Sequence, residues 1–205
     1  MSAEHSVIVV PGLGDNRKGS NLLTDFSTRH WRRHGLEPII HRVGWHDHES
    51  FEPKLQRLLD LINQEADKGK KVSLVGLSAG GSAVLNTFSE MPDKINGVVS
   101  VASRLRSGGF GPRSLESRGA KSPAFVESVK RFEKHEDKLT DADKLKVMTM
   151  RALIDELVPD ETAKLKGAHN VHIPMFEHGA SIYSALTLFS KPLIDFLKNG
   201  PPNKK

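Results

Sequence analysis

Apolar residues along this chain fall into short continuous runs that alternate with longer segments of helical periodicity. The short runs are rich in β-branched residues and are bounded by Gly, Pro or polar residues, which is typical of buried strands. They predict six strands, at 6–10, 38–43, 71–75, 96–102, 146–153 and 170–175. Apolar residues three and four positions apart predict helices between them, at 21–34, 53–68, 81–90, 124–136, 160–166 and 180–198, the last bent or restarted at Pro192.

The alternation of strands and helices predicts the fold class. Successive βαβ units give right-handed crossovers and a parallel sheet covered by helices on both faces. We therefore predict a single α/β domain over residues 1–205, a three-layer α/β/α sandwich around a mostly parallel six-stranded sheet. Residues 103–143 interrupt the alternation after the fourth strand, with a Gly-, Ser- and Arg-rich loop at 104–119. An insertion of this length, with glycines that suit a mobile segment, can form a small lid-like element, and a disordered basic loop with one surface helix is the alternative. Residues 199–205 predict a disordered tail.

Composition narrows the classes of function. The 205 residues include no cysteine, which excludes disulfides, cysteine nucleophiles and thiolate metal sites. The net charge is +5, but the basic residues are dispersed and form no stripe with aromatic residues, so we do not predict nucleic-acid binding. The apolar stretch at 7–11 is too short for a signal sequence, and no run approaches the length of a membrane span. We expect a cytoplasmic protein.

The pentapeptide Gly76–Gly80 reads Gly-x-Ser-x-Gly and lies between a predicted strand and a predicted helix. A serine at such a corner is held in a tight turn with its hydroxyl exposed, and the helix N-terminus offers N–H groups to a developing oxyanion. The motif alone is a weak signal, and a glycine-rich turn without chemistry is the alternative. The strand-turn-helix context favours Ser78 as a nucleophile.

A serine nucleophile needs a base, and the base needs an acid that fixes its tautomer. Asp155 follows the fifth predicted strand and His178 follows the sixth. Because the carboxyl ends of parallel strands meet at one edge of the sheet, we predict that Ser78, His178 and Asp155 form a catalytic triad. Asp155 as a helix cap and His178 as a surface loop residue remain alternatives. The rival residues are Asp160, His169 and His172.

Two backbone N–H groups are candidates for the oxyanion hole. Ala79 follows the nucleophile, and Leu13 lies in the glycine-rich turn after the first strand. We predict that Gly12, Trp45 and Leu77 contact the substrate, with core filling as the alternative for Trp45. His41, His46 and His48 alternate along one segment without matching carboxylates, a spacing that rarely gives a closed site, so we predict no metal.

The chain from Val7 to Lys198 resembles the α/β-hydrolase superfamily, in particular its small serine hydrolases with esterase- or lipase-like activity. The matching residues are Pro11–Gly14, Gly76–Gly80, Asp155–Pro159 and His178, and the chain order Ser, Asp, His is the family's order. Two features depart from the family. Its members usually begin with two additional strands, and many carry His-Gly where this chain has Pro-Gly, so the resemblance implies a minimal six-stranded version.

The residues and the resemblance together predict a cofactor-free serine hydrolase. Its substrate would be a small-molecule carboxylic ester or thioester, cleaved through an acyl-enzyme intermediate at Ser78. A non-catalytic binding or regulatory protein on the same scaffold is the first alternative, since fold does not fix function. Acyl transfer or perhydrolysis with the same triad is the second. The sequence determines neither the natural substrate nor the oligomeric state.

Overall fold

The computed structural model describes residues 4–200 and contains one six-stranded sheet with the strand order β2-β1-β3-β4-β5-β6. Every pair of neighbouring strands is parallel, which confirms the predicted fold class. The strands are β1 His5–Val10, β2 Leu36–Ile40, β3 Lys71–Leu77, β4 Gly97–Val101, β5 Val147–Ala152 and β6 His169–Ile173. β2 lies on one side of β1, whereas β3 and the strands after it lie on the other side, so the order in which strands join the sheet reverses between β1 and β3. In open parallel sheets, ligands bind at such a switch point.

Eight helices cover the sheet in the described part of the chain. They are α1 Lys18–Thr28, α2 Phe51–Ala66, α3 Gly80–Glu90, α4 Leu115–Gly119, α5 Pro123–His135, α6 Asp141–Leu145, α7 His178–Leu186 and α8 Ser190–Asn199. Within residues 4–200, no helix combines the length and apolar character needed to cross a bilayer.

The two faces of the sheet bury two separate apolar clusters. Alternate residues of β1 divide between them, because side chains of a strand point to opposite faces: Ile8 and Val10 join the cluster under α2, α3 and α5, whereas Val7 and Val9 join the one under α7 and α8. The inner strands are buried on both sides, which explains their continuous Val- and Ile-rich runs. The result is the predicted three-layer sandwich.

Several predicted boundaries are wrong. The second strand begins two residues earlier than predicted, directly after Gly35, whose positive φ of 79° ends the preceding turn. The predicted helix 21–34 continues as a 3-10 turn from residue 29, and the predicted helix 160–166 is a 3-10 turn at Asp160–Thr162. The last helix breaks at 187–189 rather than at Pro192, because a proline in the first turn of α8 needs no N–H partner.

The insertion after β4 divides into two parts. In the second part, α5 packs against α3 and buries Phe125, Val129 and Phe132, so it belongs to the helical layer as the crossover to β5. The first part, residues 104–121, is called the cap segment below. It contains a 3-10 turn and α4, capped by the Ser114 hydroxyl, where the sequence had predicted only loop. Residue 199 ends α8, and residues 201–205 of the predicted tail lie outside the described residues.

Candidate active site

Ser78 occupies a strained corner between β3 and α3. Its φ is 53°, a left-handed conformation that costs a non-glycine residue about 1–3 kcal/mol, and its N–H donates to the carbonyl of Val101 at 2.9 Å. Two glycines make the corner possible. A Cβ on Gly76 would lie 2.5 Å from the carbonyl oxygen of Gly80, and one on Gly80 would overlap the carbonyl oxygen of Val10. Both glycines of the pentapeptide therefore serve close backbone approach.

Two hydrogen bonds through His178 connect the three residues of the predicted triad in series. The Ser78 hydroxyl lies 2.9 Å from Nε2 of His178, and Nδ1 of His178 lies 2.8 Å from a carboxylate oxygen of Asp155. The side chains of His178 and Asp155 are each only 8% exposed. Three separate strand ends thus bring a hydroxyl, an imidazole and a carboxylate into one chain of contacts.

The environment of Asp155 favours its ionised form. Burial raises its pKa, but the hydrogen bond and charge of His178, together with backbone donors, outweigh burial and leave the pKa below its usual value. Those donors are the N–H groups of Leu157 and Val158, both 2.8 Å from Oδ1. An ionised Asp155 accepts a hydrogen bond from the N–H at Nδ1, which leaves Nε2 of His178 unprotonated and able to accept the hydroxyl proton of Ser78.

The rival carboxylate Asp160 and the neighbouring carboxylate Glu156 have other partners. Asp160 forms ion pairs with Arg151 and Lys164 and does not contact His178. Glu156 accepts a hydrogen bond from the backbone N–H of His178 at 3.0 Å, so it orients the start of α7 rather than the imidazole ring. Among the rival histidines, His172 faces Asp160 across 3.6 Å, away from the serine.

Both candidate oxyanion donors border a cavity of about 30 Å³ beside Ser78. Within residues 4–200, the N–H groups of Leu13 and Ala79 donate to no protein acceptor, so they are free for a ligand. A Cβ on Gly12 would lie 2.8 Å from the Cβ of Ser78, which shows how closely the turn after β1 approaches the serine. Arg104 and Arg118 border the same cavity.

A larger cleft of about 610 Å³ opens over Ser78 and His178. Two predicted substrate contacts, Gly12 and Leu77, line it. The cap segment contributes Arg118 and its last residue, Lys121. The cleft is therefore formed partly by the ends of strands and partly by an exposed segment.

The prediction that Trp45 contacts the substrate is wrong. Its side chain is buried, stacks on Phe51 with ring centroids 6.4 Å apart, and meets the edge of Phe125. Its indole N–H donates to the carbonyl of Pro11 at 3.1 Å. The space between α2 and α5 needs a large apolar side chain, and Trp45 fills it while fixing the turn that carries Leu13.

The residues of the cleft that sequence reasoning missed include four basic or ionisable side chains, those of Arg17, His46, Arg118 and Lys121. The two ring nitrogens of His46 face the carbonyl oxygens of Leu13 and Lys121, each at 2.9 Å, so the ring joins the oxyanion turn to the cap segment. Arg17 and His46 each follow the end of a strand closely, and this position is the one signal that the sequence offers for them. No spacing in the sequence indicates the contacts of Arg118 and Lys121. Among residues 4–200, no group of three or more potential ligands is arranged to hold a metal ion.

Comparison with known proteins identifies the fold. No family model matches the sequence, and no curated protein matches it either. Among solved structures, one of the carboxylesterases of the thaumarchaeon Nitrososphaera gargenis superposes with a TM-score of 0.68 at 14% identity, covering 96% of this chain and 91% of the other. Est1E from Butyrivibrio proteoclasticus gives 0.63 at 15% identity, covering 96% and 88%.

A monoacylglycerol lipase of Paleococcus ferrophilus gives a TM-score of 0.59 at 18% identity, covering 94% of this chain and 93% of the other. The protein thus has the α/β-hydrolase fold, as the resemblance of its motifs implied. The coverage extends over nearly the whole of each chain.

Proposed function

We propose that this protein is a serine hydrolase that cleaves a carboxylic ester or thioester through an acyl-enzyme intermediate. One observation carries the proposal: the continuous hydrogen-bonded chain from the Ser78 hydroxyl through both ring nitrogens of His178 to the carboxylate of Asp155. The strained serine, the two free N–H donors beside it and an open cleft over it support the same reading.

In the proposed mechanism, the Ser78 hydroxyl attacks the acyl carbon while Nε2 of His178 takes its proton. Asp155 accepts the hydrogen bond from Nδ1 and stabilises the imidazolium. The N–H groups of Leu13 and Ala79 donate to the oxyanion of the tetrahedral intermediate. His178 then gives its proton to the leaving group, and a water molecule, activated by the same imidazole, releases the acid from Ser78.

The substrate class rests on the cleft and on the structural neighbours. A volume of about 610 Å³ lies within the roughly 300–1,000 Å³ of small-molecule sites. The neighbours include carboxylesterases and a monoacylglycerol lipase, and their names support an ester as the substrate here. A thioester offers the same acyl carbon to the same nucleophile and belongs to the same proposal.

Substitution of the nucleophile tests the proposal. We expect Ser78→Ala to lower kcat for a short 4-nitrophenyl ester by about 10⁴-fold or more, with an unchanged melting temperature. Ser117→Ala is the matched control, because Ser117 lines the same cleft but has no histidine partner; its kcat should stay within about two-fold of the wild type. Equal activity in the Ser78→Ala variant and the wild type would rule out the assignment.

A further inference from the structure

Three basic side chains line the cleft over Ser78. Arg17 lies at the N-terminal end of α1, Arg118 lies in α4, and Lys121 closes the cap segment. They come from two distant parts of the sequence and meet only in the folded chain. Their shared position at one cleft is what distinguishes them from the other basic residues of the surface.

These three cations have no anionic partners in the protein. Among the described residues, none of the three takes part in a salt bridge. Glu116, two positions before Arg118, pairs with Lys130 instead, at 3.9 Å. Of the described residues that line the cleft, none is an Asp or Glu. Among residues 4–200, no carboxylate therefore lies within ion-pair distance of these three cations.

Two arginines also border the small cavity beside Ser78 that holds the candidate oxyanion donors. Arg118 borders both the cleft and the small cavity beside Leu13 and Ala79. Arg104 borders that cavity too, is almost completely buried, and donates to two backbone carbonyls, those of Gly108 and Arg113, rather than to a carboxylate. Burial and the charge of Arg118 together lower the pKa of Arg104, which reflects how close the two cations lie.

The cleft is also lined by polar residues of α1 and α4, namely Ser20, Thr24 and Ser117, and by apolar residues of other elements. Leu77 ends β3, Leu157 follows β5, and Ile182 and Tyr183 lie on α7. The cleft thus combines apolar side chains from the strand ends and α7 with cations from α1 and the cap segment. Such a lining suits a molecule that has both an apolar part and a negative charge.

We propose, on the basis of the serine hydrolase function above, that the cleft selects esters that carry an anionic group, a carboxylate or a phosphate, away from the scissile bond. Arg17, Arg118 and Lys121 bind that group, while the apolar residues bind the hydrocarbon part of the substrate. Cations that line a cleft concentrate an anionic substrate there and raise its association rate by about 10–10³-fold, an effect that salt weakens.

Two matched pairs of esters test the proposal. Mono(4-nitrophenyl) glutarate and 4-nitrophenyl pentanoate share the leaving group and chain length and differ by a carboxylate on the acyl side. 1-Butanoylglycerol 3-phosphate and 1-butanoylglycerol differ by a phosphate on the alcohol side. We expect the wild type to prefer the anionic member of at least one pair by about ten-fold or more in kcat/KM at low salt. The pair that shows the preference identifies the anion and its side of the substrate.

Charge variants connect that preference to the cleft. The double variant Arg118→Gln and Lys121→Gln should lose most of the preference, and Arg118→Glu should favour the neutral member. The preference is the ratio of kcat/KM for the two members of a pair within one variant, so a change in turnover that both esters share cancels. Arg33→Gln is the matched control, since Arg33 is exposed but lies outside the cleft; it should keep the preference. Raising the ionic strength to about 1 M, where the Debye length is about 3 Å, should also reduce the preference.

The outcomes separate this proposal from the proposed function. Equal kcat/KM for both members of both pairs, or a preference that survives the double substitution, overturns the anionic substrate and leaves the hydrolase intact. If the protein hydrolyses none of the esters, the hydrolase proposal fails, and calorimetric titration of the Ser78→Ala variant with each ester decides the charge preference by binding alone. Tighter binding of the anionic member would then support an anion-binding cleft, and equal binding would overturn it.

Discussion

The corner around Ser78 and the cap segment border the same cleft but are built in opposite ways. At the corner, two glycines allow contacts between backbones that no side chain could tolerate, and the side chains of His178 and Asp155 are nine-tenths buried. The cap segment is mostly exposed, with Phe110 94% accessible to solvent. Side-chain hydrogen bonds hold the segment in place. Arg104 donates to the carbonyls of Gly108 and Arg113 within the segment, and a ring nitrogen of His46 lies within hydrogen-bond distance of the carbonyl of Lys121.

This difference separates two tasks of the site. The atoms that exchange protons must hold their geometry within a fraction of an ångström, and packed strand ends provide that precision. The groups that contact the rest of a substrate can lie on an exposed segment, which tolerates change in sequence without loss of the fold. We therefore expect substitutions at the corner to affect turnover or folding strongly, and those at the cap to affect substrate binding.

The largest effect should come from the acid of the triad. Asp155→Asn replaces an ionised acceptor with an amide, so His178 can take the wrong tautomer, and we expect kcat to fall by about 10⁴-fold with little loss of stability. Asp160→Asn is the matched control, because Asp160 pairs with Arg151 rather than His178. Kinetics with a neutral ester measure both variants; a similar loss in the two would contradict the assigned role of Asp155.

The crowding of the corner predicts the next largest effect. In Gly80→Ala the added Cβ would overlap the carbonyl oxygen of Val10, and we expect the free energy of unfolding to fall by about 3 kcal/mol. Gly19→Ala in α1 is the control, since its Cβ would meet nothing within 4 Å; it should change stability by less than about 1 kcal/mol. Urea denaturation measures both, and equal stabilities would show that the corner is not tightly packed.

The opposite edge of the sheet predicts a pH dependence of folding that does not involve the site. Burial and the charge of Lys71 lower the pKa of His5 from 6.5 to about 4. Between pH 4 and pH 6.5, His5 is therefore protonated in the unfolded chain and neutral in the folded chain. Stability is complete above pH 6.5 and falls as the pH drops towards 4, by on the order of 2 kcal/mol from this residue.

In the variant His5→Asn that contribution disappears. Urea denaturation at pH 4.5 and pH 7 should show a smaller difference between the two pH values for the variant than for the wild type. Turnover at pH 7 should be unchanged, because His5 lies at the amino end of β1, away from Ser78. An identical pH dependence in the two proteins would show that His5 is not responsible for the loss of stability in acid.

The smallest effect should come from the contact between corner and cap. His46→Ala removes the ring whose two nitrogens lie 2.9 Å from the carbonyl oxygens of Leu13 and Lys121. A neutral imidazole has one N–H and donates to one of these carbonyls, a hydrogen bond with a net value of about 1 kcal/mol. We expect KM to rise by about five-fold, and kcat to fall by less than that. His48→Asn is the control, because His48 is exposed with a φ of 65°, which asparagine tolerates. A fall in kcat without any change in KM would contradict the assignment of binding to the cap.

The same contrast explains what the sequence could predict. The strands were predictable because continuous apolar runs locate strand ends, and parallel strands bring those ends together, so Ser78, Asp155 and His178 could be expected at one edge of the sheet. Their catalytic role stays a prediction. The side of the sheet on which Trp45 would pack depends on how α2 and α5 fit together, and no periodicity encodes that fit. Arg118 and Lys121 lie in a segment without apolar periodicity, so their approach to Arg17 emerges only from the folded chain.

Covalent labelling tests the central claim most directly. Folded protein treated with a fluorophosphonate should gain the mass of one adduct, and peptide mapping should place it on Ser78. Asp155→Asn should slow the labelling strongly, whereas Ser117→Ala should not. Labelling of several serines at similar slow rates, or of none in a protein that is folded and stable, would contradict an activated nucleophile at the corner between β3 and α3.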